Sequence, residues 1–324
     1  MTPTTRRAPR LLGLLMVVTP LAAQALEPLE INDAELVELA VTGEIAPPVA
    51  RESVYRVEAD GKVRMVPGTG GITYNFRTGD SAVHMAGNHV EPAVSIYNPG
   101  PENDRGGRVN KALNAYAAVG NQVRVLDGDA KGATGRVIGK HGGIEHVMVD
   151  FPDEAYAGLA IGDRMQVRTK GAGMALTNAE GIKVMNASPA LVEALNEAGA
   201  GINGEGHLEI GVTHRIPARV MGSGLGADQV YTGDYDIQLF DEGVIEEHGL
   251  GSLRFGDIVA IMDADHSYGR IYRSGAVSVG VVVHGRSDSA GHGPGVTTLF
   301  TSSDGSIEPH IDGDANLGKL LEIR

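Results

Sequence analysis

Between Gly249 and Thr301 the chain carries three apolar runs, each opened by a glycine-marked turn. Phe255-Gly256-Asp257 leads into Ile258 to Met262, and Ser274-Gly275-Ala276 opens Val277 to Val283. Ser289 to Gly295, with glycines and a proline around His292, precedes Val296 to Thr301. Runs this short, rich in β-branched residues and bounded by turns, read as buried strands rather than helices. A doubly wound α/β sheet needs regular strand–helix alternation, which is missing here. The expected fold class is therefore mainly β (α+β), with short-stranded barrel-like sheets and three or four helices.

The same stretch holds the densest set of potential metal ligands. Asp263, Asp265 and His266 follow the first run, His284 ends the second, and His292 sits on the glycine loop. Strand ends and loops are where sites are built. Aspartate and histidine together bind zinc, manganese or iron, so Asp263, Asp265, His266 and His292 are the expected ligands of a divalent metal. Their spacing matches no standard signature. The plainer alternative is that the two aspartates cap turns and His266 lies on the surface, or that the site binds a small molecule without metal.

A second polar cluster, Asn88-His89-Val90-Glu91, places His89 and Glu91 two residues apart. On a strand they share a face, which suits an acid–base pair, with Asn88 as a substrate contact. A solvated salt bridge is the competing reading. Arg215 and Arg219 precede the glycine loop Gly222 to Gly226 in an otherwise acidic chain. Guanidinium groups beside a glycine loop suit a substrate carboxylate or phosphate, unless they only balance nearby acids. Tyr231 to Leu239 reads as a strand with Asp234 and Asp236 on one face.

There is no cysteine among the 324 residues, so thiol catalysis and thiolate metal sites are excluded. Arg6, Arg7 and Arg10, the apolar run Leu11 to Val18 and Ala23-Gln24-Ala25 together read as a signal peptide over residues 1–25. The expected location is periplasmic or secreted, or cytoplasmic if the start codon is mis-called. Removing three arginines and no acid takes the net charge from −14 to −17. Such a surface repels nucleic-acid phosphate and anionic membrane, so neither is an expected partner once the leader is cleaved. An exported chain without disulfides relies on packing, metal or assembly, which points to a homo-oligomer.

Elsewhere, Asn32 or Asp33 caps an expected helix from Ala34 to Gly43. Asp60-Gly61 signals a hairpin. Val109 to Val119 reads as a helix, as does the stretch that Ser188 caps and Pro189 opens, with Leu191, Val192 and Leu195 on its apolar stripe. His207 to Val220 reads as a strand, and Leu317 to Ile323 as a terminal strand or short helix. The expected segments after the leader are residues 26–120, a β-rich part with helices; 121–185, a small barrel; and 186–324, a β-rich domain carrying the site.

Residues 121–168, with the glycine and lysine pattern between Gly128 and Gly135, resemble the small SH3-like barrels that carry a KOW motif. The resemblance is taken for barrel geometry alone. PGTGGITYN (67–75), GNHVEPAVSI (87–96), RIPARVMGSGLG (215–226), GDYDIQLFD (233–241), DADHSYGRIYRSGAVSVG (263–280) and GHGPGV (291–296) together resemble an uncharacterised prokaryotic family, a domain of unknown function, over nearly the whole mature chain. That family implies no activity. Its usual members look cytoplasmic, a pattern from which the leader departs.

The residues themselves suggest a metal-dependent hydrolase or lyase acting on a small polar substrate, a carboxylate or an amide. A metal-bound water would be the nucleophile, and His89 or Glu91 the base. The C-terminal strand and glycine-loop rhythm is loosely similar to metal-dependent amidases of the acetamidase type. The alternative is a non-catalytic small-molecule-binding or oligomeric structural protein. A serine hydrolase is disfavoured because the Gly-x-Ser-x-Gly elbow is missing.

Overall fold

Period-two alternation closes the first half of the chain into a barrel. In Arg164–Thr169, Met165 and Val167 are buried while Arg164, Gln166 and Arg168 face solvent. The protein is described as a computed structural model covering residues 25–50, 55–101, 104 and 106–324; the expected leader falls outside the described residues except for Ala25. Six strands form the barrel: β1 (Leu39–Ile45), β2 (Ala93–Tyr97), β3 (Gln122–Val125), β4 (Thr134–His141), β5 (His146–Asp150) and β6 (Arg164–Thr169). They run antiparallel in the order β1-β6-β3-β4-β5-β2, and β2 pairs back onto β1 to close the ring. Closure leaves the ring no free edge. The expected barrel over 121–168 is present, but it supplies only β3 to β6; β1 and β2 complete it.

A second sheet contains β7 (Ile182–Val184), β8 (His214–Pro217), β9 (Ile258–Asp265), β10 (Ile271–His284) and β11 (Gly295–Ser302), in the order β7-β11-β10-β9-β8. Its central strands are apolar on both faces because both are covered. Val277, Val279, Val281 and Val283 pack into the core shared with the barrel, whereas Val282 and Val296 face a second core with Ile216, Ile237 and Phe255. The two sheets meet where β4 crosses β10 and β11. A Cβ on Gly139 would lie 2.0 Å from Val283, so only glycine allows that approach. Thr297 Oγ1 accepts from the Lys140 amide at 3.1 Å and donates to its carbonyl at 3.0 Å. This crossing brings the ends of β4 and β10 together.

The α-helices are α1 (Arg108–Tyr116), α2 (Pro189–Glu197), α3 (Glu242–Glu247) and α4 (Leu317–Leu320). In α2, Ser188 accepts from the Leu191 amide, and Leu191, Val192 and Leu195 are buried, as the pattern predicts. Losing such a cap costs about 1 kcal/mol. The Asp60-Gly61 hairpin forms between Arg56–Val57 and Val63–Arg64.

Three expectations are corrected. The helix from Ala34 is a 3-10 turn, Asp33–Glu35, followed by β1. Pairing of β1 along β6 outweighs the local apolar spacing. His207 to Val220 is split at Thr213. Leu208–Val212 joins Ile307–Ile311 in a separate sheet, while His214–Pro217 joins β9. Tyr231 to Leu239 forms only single bridges, Asp236 with Gly295 and Ile237 with Met221.

Candidate functional site

Four polar segments, from distant parts of the sequence, meet where the barrel touches the second sheet. His89 and Glu91 come from the loop before β2, His141 and His146 from the hairpin joining β4 to β5, Asp234 and Asp236 from the loop after Gly233, and His284 and His292 from the end of β10 and the glycine loop. The imidazoles crowd together: His141 and His284 stack with ring centroids 4.1 Å apart, His292 meets His89 edge-on at 4.9 Å, and His284 tilts against His89 at 5.2 Å. The donor atoms form two sets, His89–Asp236–His292 and His141–Asp234–His284, each within 4.8 Å.

Tautomers follow from partners outside the cluster. His89 Nδ1 lies 2.5 Å from Asn88 Oδ1, an acceptor, so it carries the proton. The Asn88 amide is itself oriented, since Nδ2 donates to Glu58 and Oδ1 accepts from Ser287 Oγ. His141 Nδ1 donates to Glu91 at 2.6 Å, and His284 Nδ1 donates to the Gly285 carbonyl at 3.0 Å. In all three rings the neutral form leaves its Nε2 lone pair free. His284 Nε2 faces Asp234 Oδ2 at 2.6 Å and Asp236 Oδ1 at 3.5 Å. His284 Nε2 and Asp234 Oδ2 are both buried, and neither is aligned in a hydrogen bond despite their closeness. His89 Nε2 faces His292 Nδ1 at 3.1 Å, and His292 Nδ1 lies 3.0 Å from Asp236 Oδ2.

The electrostatics follow this crowding. Burial, then the neighbouring imidazoles of His284, His141 and His292, push His89 down to about 2, so it is neutral. Burial also opposes the charged form of His284, but Asp234 and Asp236 outweigh it and raise its pKa well above the usual range. Asp234 is held below the ordinary carboxylate range: burial raises it, and His284 more than compensates. His284 and Asp234 thus form an imidazolium–carboxylate pair beside a neutral His89. Gly295 lets this pair approach. It pairs with His284 on β10 and bridges Asp236, and a Cβ there would lie 1.8 Å from Asp234 Oδ2 and 2.4 Å from His284 Nε2.

Glu91 lies outside both donor sets and supports them. Its carboxylate accepts from the Gly70 amide (2.7 Å), Ser95 Oγ (2.5 Å), His141 Nδ1 (2.6 Å) and His146 Nδ1 (2.8 Å). Burial raises its pKa, but the charge of His146 and the hydrogen bonds from both histidines bring it well below the ordinary value. Its lone pairs are used, so the geometry makes Glu91 a positioning group for His141 rather than the base expected from sequence. A cavity of about 1150 Å³ opens over the cluster, lined by His89, His141, Asp234, Asp236, Arg270 and His292 among others.

Of the other expected residues, His292 belongs to the cluster and Asn88 orients His89. Asp263, Asp265 and His266 do not converge with His292. Asp263, at φ 59°, accepts from the Gly275 amide, and Asp265 accepts from the Ser267 amide and pairs with Arg273. His266 is buried, with Nδ1 2.8 Å from Thr298 Oγ1. Dense spacing placed them together in sequence, but nearby backbone donors satisfy the carboxylates. Arg215 donates to the Pro309 carbonyl and Arg219 pairs with Glu247; neither lines the cavity. Sequence reasoning missed His141, His146 and Arg270, and noted Asp234, Asp236 and His284 without assigning them to the site. The available signal was imidazole or paired aspartate beside glycine: His141-Gly142, Gly233-Asp234-Tyr235-Asp236 and His284-Gly285.

The chain matches the domain of unknown function DUF4438, its N-terminal part over residues 55–193 and its C-terminal part over residues 199–321. It is similar to the solved structure titled "Crystal structure of TM1086", at 43% identity and a TM-score of 0.83, covering 90% of this chain and 98% of that one. Comparison with curated proteins finds no match. Among the described residues no helix is long and apolar enough to cross a membrane.

Proposed function

The chain belongs to the DUF4438 family, and we propose that it is a divalent-metal-dependent hydrolase whose metals sit between the barrel and the second sheet. The observation that carries this reading is the lone-pair geometry. His89, His141 and His284 each tie Nδ1–H to an acceptor and leave Nε2 for the cluster, where Asp234 and Asp236 add only acceptors. Ligating histidines are held this way, by an acceptor that orients the ring through its other nitrogen. Two adjacent sets of three donors suit two ions, with His89, Asp236 and His292 on one and His141, Asp234 and His284 on the other. Asp236 turns Oδ1 toward His284 and Oδ2 toward His292, so its two oxygens face different donor sets. Nitrogen and oxygen donors without thiolate suit zinc, manganese or iron.

Metal ions held by His89, Asp236 and His292 and by His141, Asp234 and His284 would supply an activated water and polarise the carbonyl of a small amide or ester. The cavity volume suits a small molecule. Elemental analysis of protein purified without a histidine tag or chelator tests the centre. About two equivalents of metal are expected, lowered in His284→Ala and Asp236→Asn. A well-folded, metal-free protein would overturn the reading. A metal-replete protein that hydrolyses no member of a small amide and ester panel would instead favour the binding or structural alternative.

A further inference from the structure

We propose that Arg270 is the anchor for an oxyanion group, carboxylate or phosphoryl, on the molecule that enters the cavity. Arg270 is only 3% exposed and lines the cavity beside the acidic floor. The one hydrogen bond of its side chain runs from Nη2 to the Thr232 carbonyl at 3.3 Å, two residues before Asp234, and Nε is buried without a partner. Its guanidinium faces the Tyr235 ring, 5.9 Å from the centroid, and Asp234 and Asp236 act on it only from beyond ion-pair distance.

Leaving a buried guanidinium unpaired is costly, and structural arginines avoid it. Arg77 is the contrast within this chain. It is similarly buried, and Asp150, Asp153 and the Phe151 carbonyl accept from it. Arg270 has donors to spare on the wall of a cavity. The local backbone keeps them free. Gly224 adopts φ 97°, and a Cβ there would lie 3.2 Å from Nη1. The glycine thus lets the chain pass beside the guanidinium without a side chain against it.

Charge points the same way, and here the inference rests on the metal reading. Two divalent ions against Glu91, Asp234 and Asp236 leave the floor positive, and Arg270 adds to that. A planar fork of N–H groups beside a metal pair favours an oxyanion over a neutral ligand. The substrate class would then be small molecules carrying an acidic group near the hydrolysed bond. The role assigned from sequence to Arg215 and Arg219 passes to Arg270.

The test is calorimetric titration of metal-loaded wild type, Arg270→Gln and Arg270→Lys with malonate, and separately with inorganic phosphate. Metal content and thermal melting are measured on the same samples. Saturable binding is expected in the wild type, weakened about tenfold or more in R270Q and less in R270K, with metal content unchanged. Tighter malonate binding would mark a carboxylate as the natural group, and tighter phosphate binding a phosphoryl. Equal affinity in R270Q, or no saturable binding of either anion to metal-replete wild type, would overturn the proposal. If R270Q does not fold, R270K decides: weakened binding supports the anchor and unchanged binding overturns it. Metal-free protein that still binds either anion through Arg270 would retire the metal centre and keep the anchor; metal-replete protein with Arg270-independent binding would do the reverse.

Discussion

Replacing Gly295 by alanine adds one carbon where the proposed metal centre needs space. The new Cβ would lie 1.8 Å from Asp234 Oδ2 and 2.4 Å from His284 Nε2. To reach ordinary contact the Asp234 oxygen must retreat by roughly 1.5 Å. Ligand distances in metal sites tolerate about 0.2 Å, so one set of donors is lost. The strand is held on both sides, with His284 paired on β10 and Asp236 bridged from its loop, so the backbone cannot simply move away. Overpacking of this kind costs about 1–3 kcal/mol, within the reserve of a folded domain. The expected result for G295A is a folded protein with metal content about halved and a lower melting temperature. A Cβ added at Gly313 would meet nothing within 4 Å, so that position serves as the control; G313A should keep its metal and its stability. The assay is metal analysis with calorimetric melting of both variants. Full metal content and unchanged melting in G295A would refute the reasoning about this cradle.

Other expectations rest on single interactions. Glu91→Gln leaves one acceptor oxygen where the carboxylate served His141, His146, Ser95 and Gly70, so metal affinity should fall about 10–100-fold in a competition titration with a chelator. Because the folded pKa of Glu91 lies well below its ordinary value, its contribution is present above that ordinary value and lost as pH falls through the folded one; E91Q should flatten that acid limb in pH-dependent urea melts. Lys140 is fully buried, its ammonium donating to Asn186 Oδ1 and the Tyr231 carbonyl, and burial pushes it down to about 7. Between that value and about 10.5 the unfolded chain binds the extra proton, so stability should rise with pH there, and Lys140→Met should remove the rise. Arg77→Ala strands the buried Asp150 carboxylate and should cost about 3 kcal/mol or more by urea midpoint.

Local features of the chain were legible wherever the deciding contacts are also local. The runs at 258–262, 277–283 and 296–301 became β9, β10 and β11, and the Ser188-Pro189 signal became the cap of α2. The Ala34 helix failed because β1 finds its partner in β6, some 120 residues on, and that pairing outweighs a weak apolar periodicity. The same asymmetry runs through the site. His89 and His292, each beside glycine or one residue from it, were recognisable as candidates, and Asn88 holds His89 by a contact between adjacent residues. Asp263 and Asp265 were misplaced for the opposite reason: a short carboxylate at a strand end more readily satisfies an amide close by in the fold than a distant metal.

The sequence by itself determined the strand runs, the turns, the capped helix and the exclusion of thiol chemistry, because each depends on residue type and near neighbours. Only the tertiary structure decided which imidazoles converge and which nitrogen each presents. His141 takes its tautomer from Glu91, 50 residues away, and His284 meets Asp234 across the same distance in the chain. The seam between barrel and sheet exists only because Gly139 lets β4 press against Val283. Lone-pair direction is set by those contacts, and no local pattern records them.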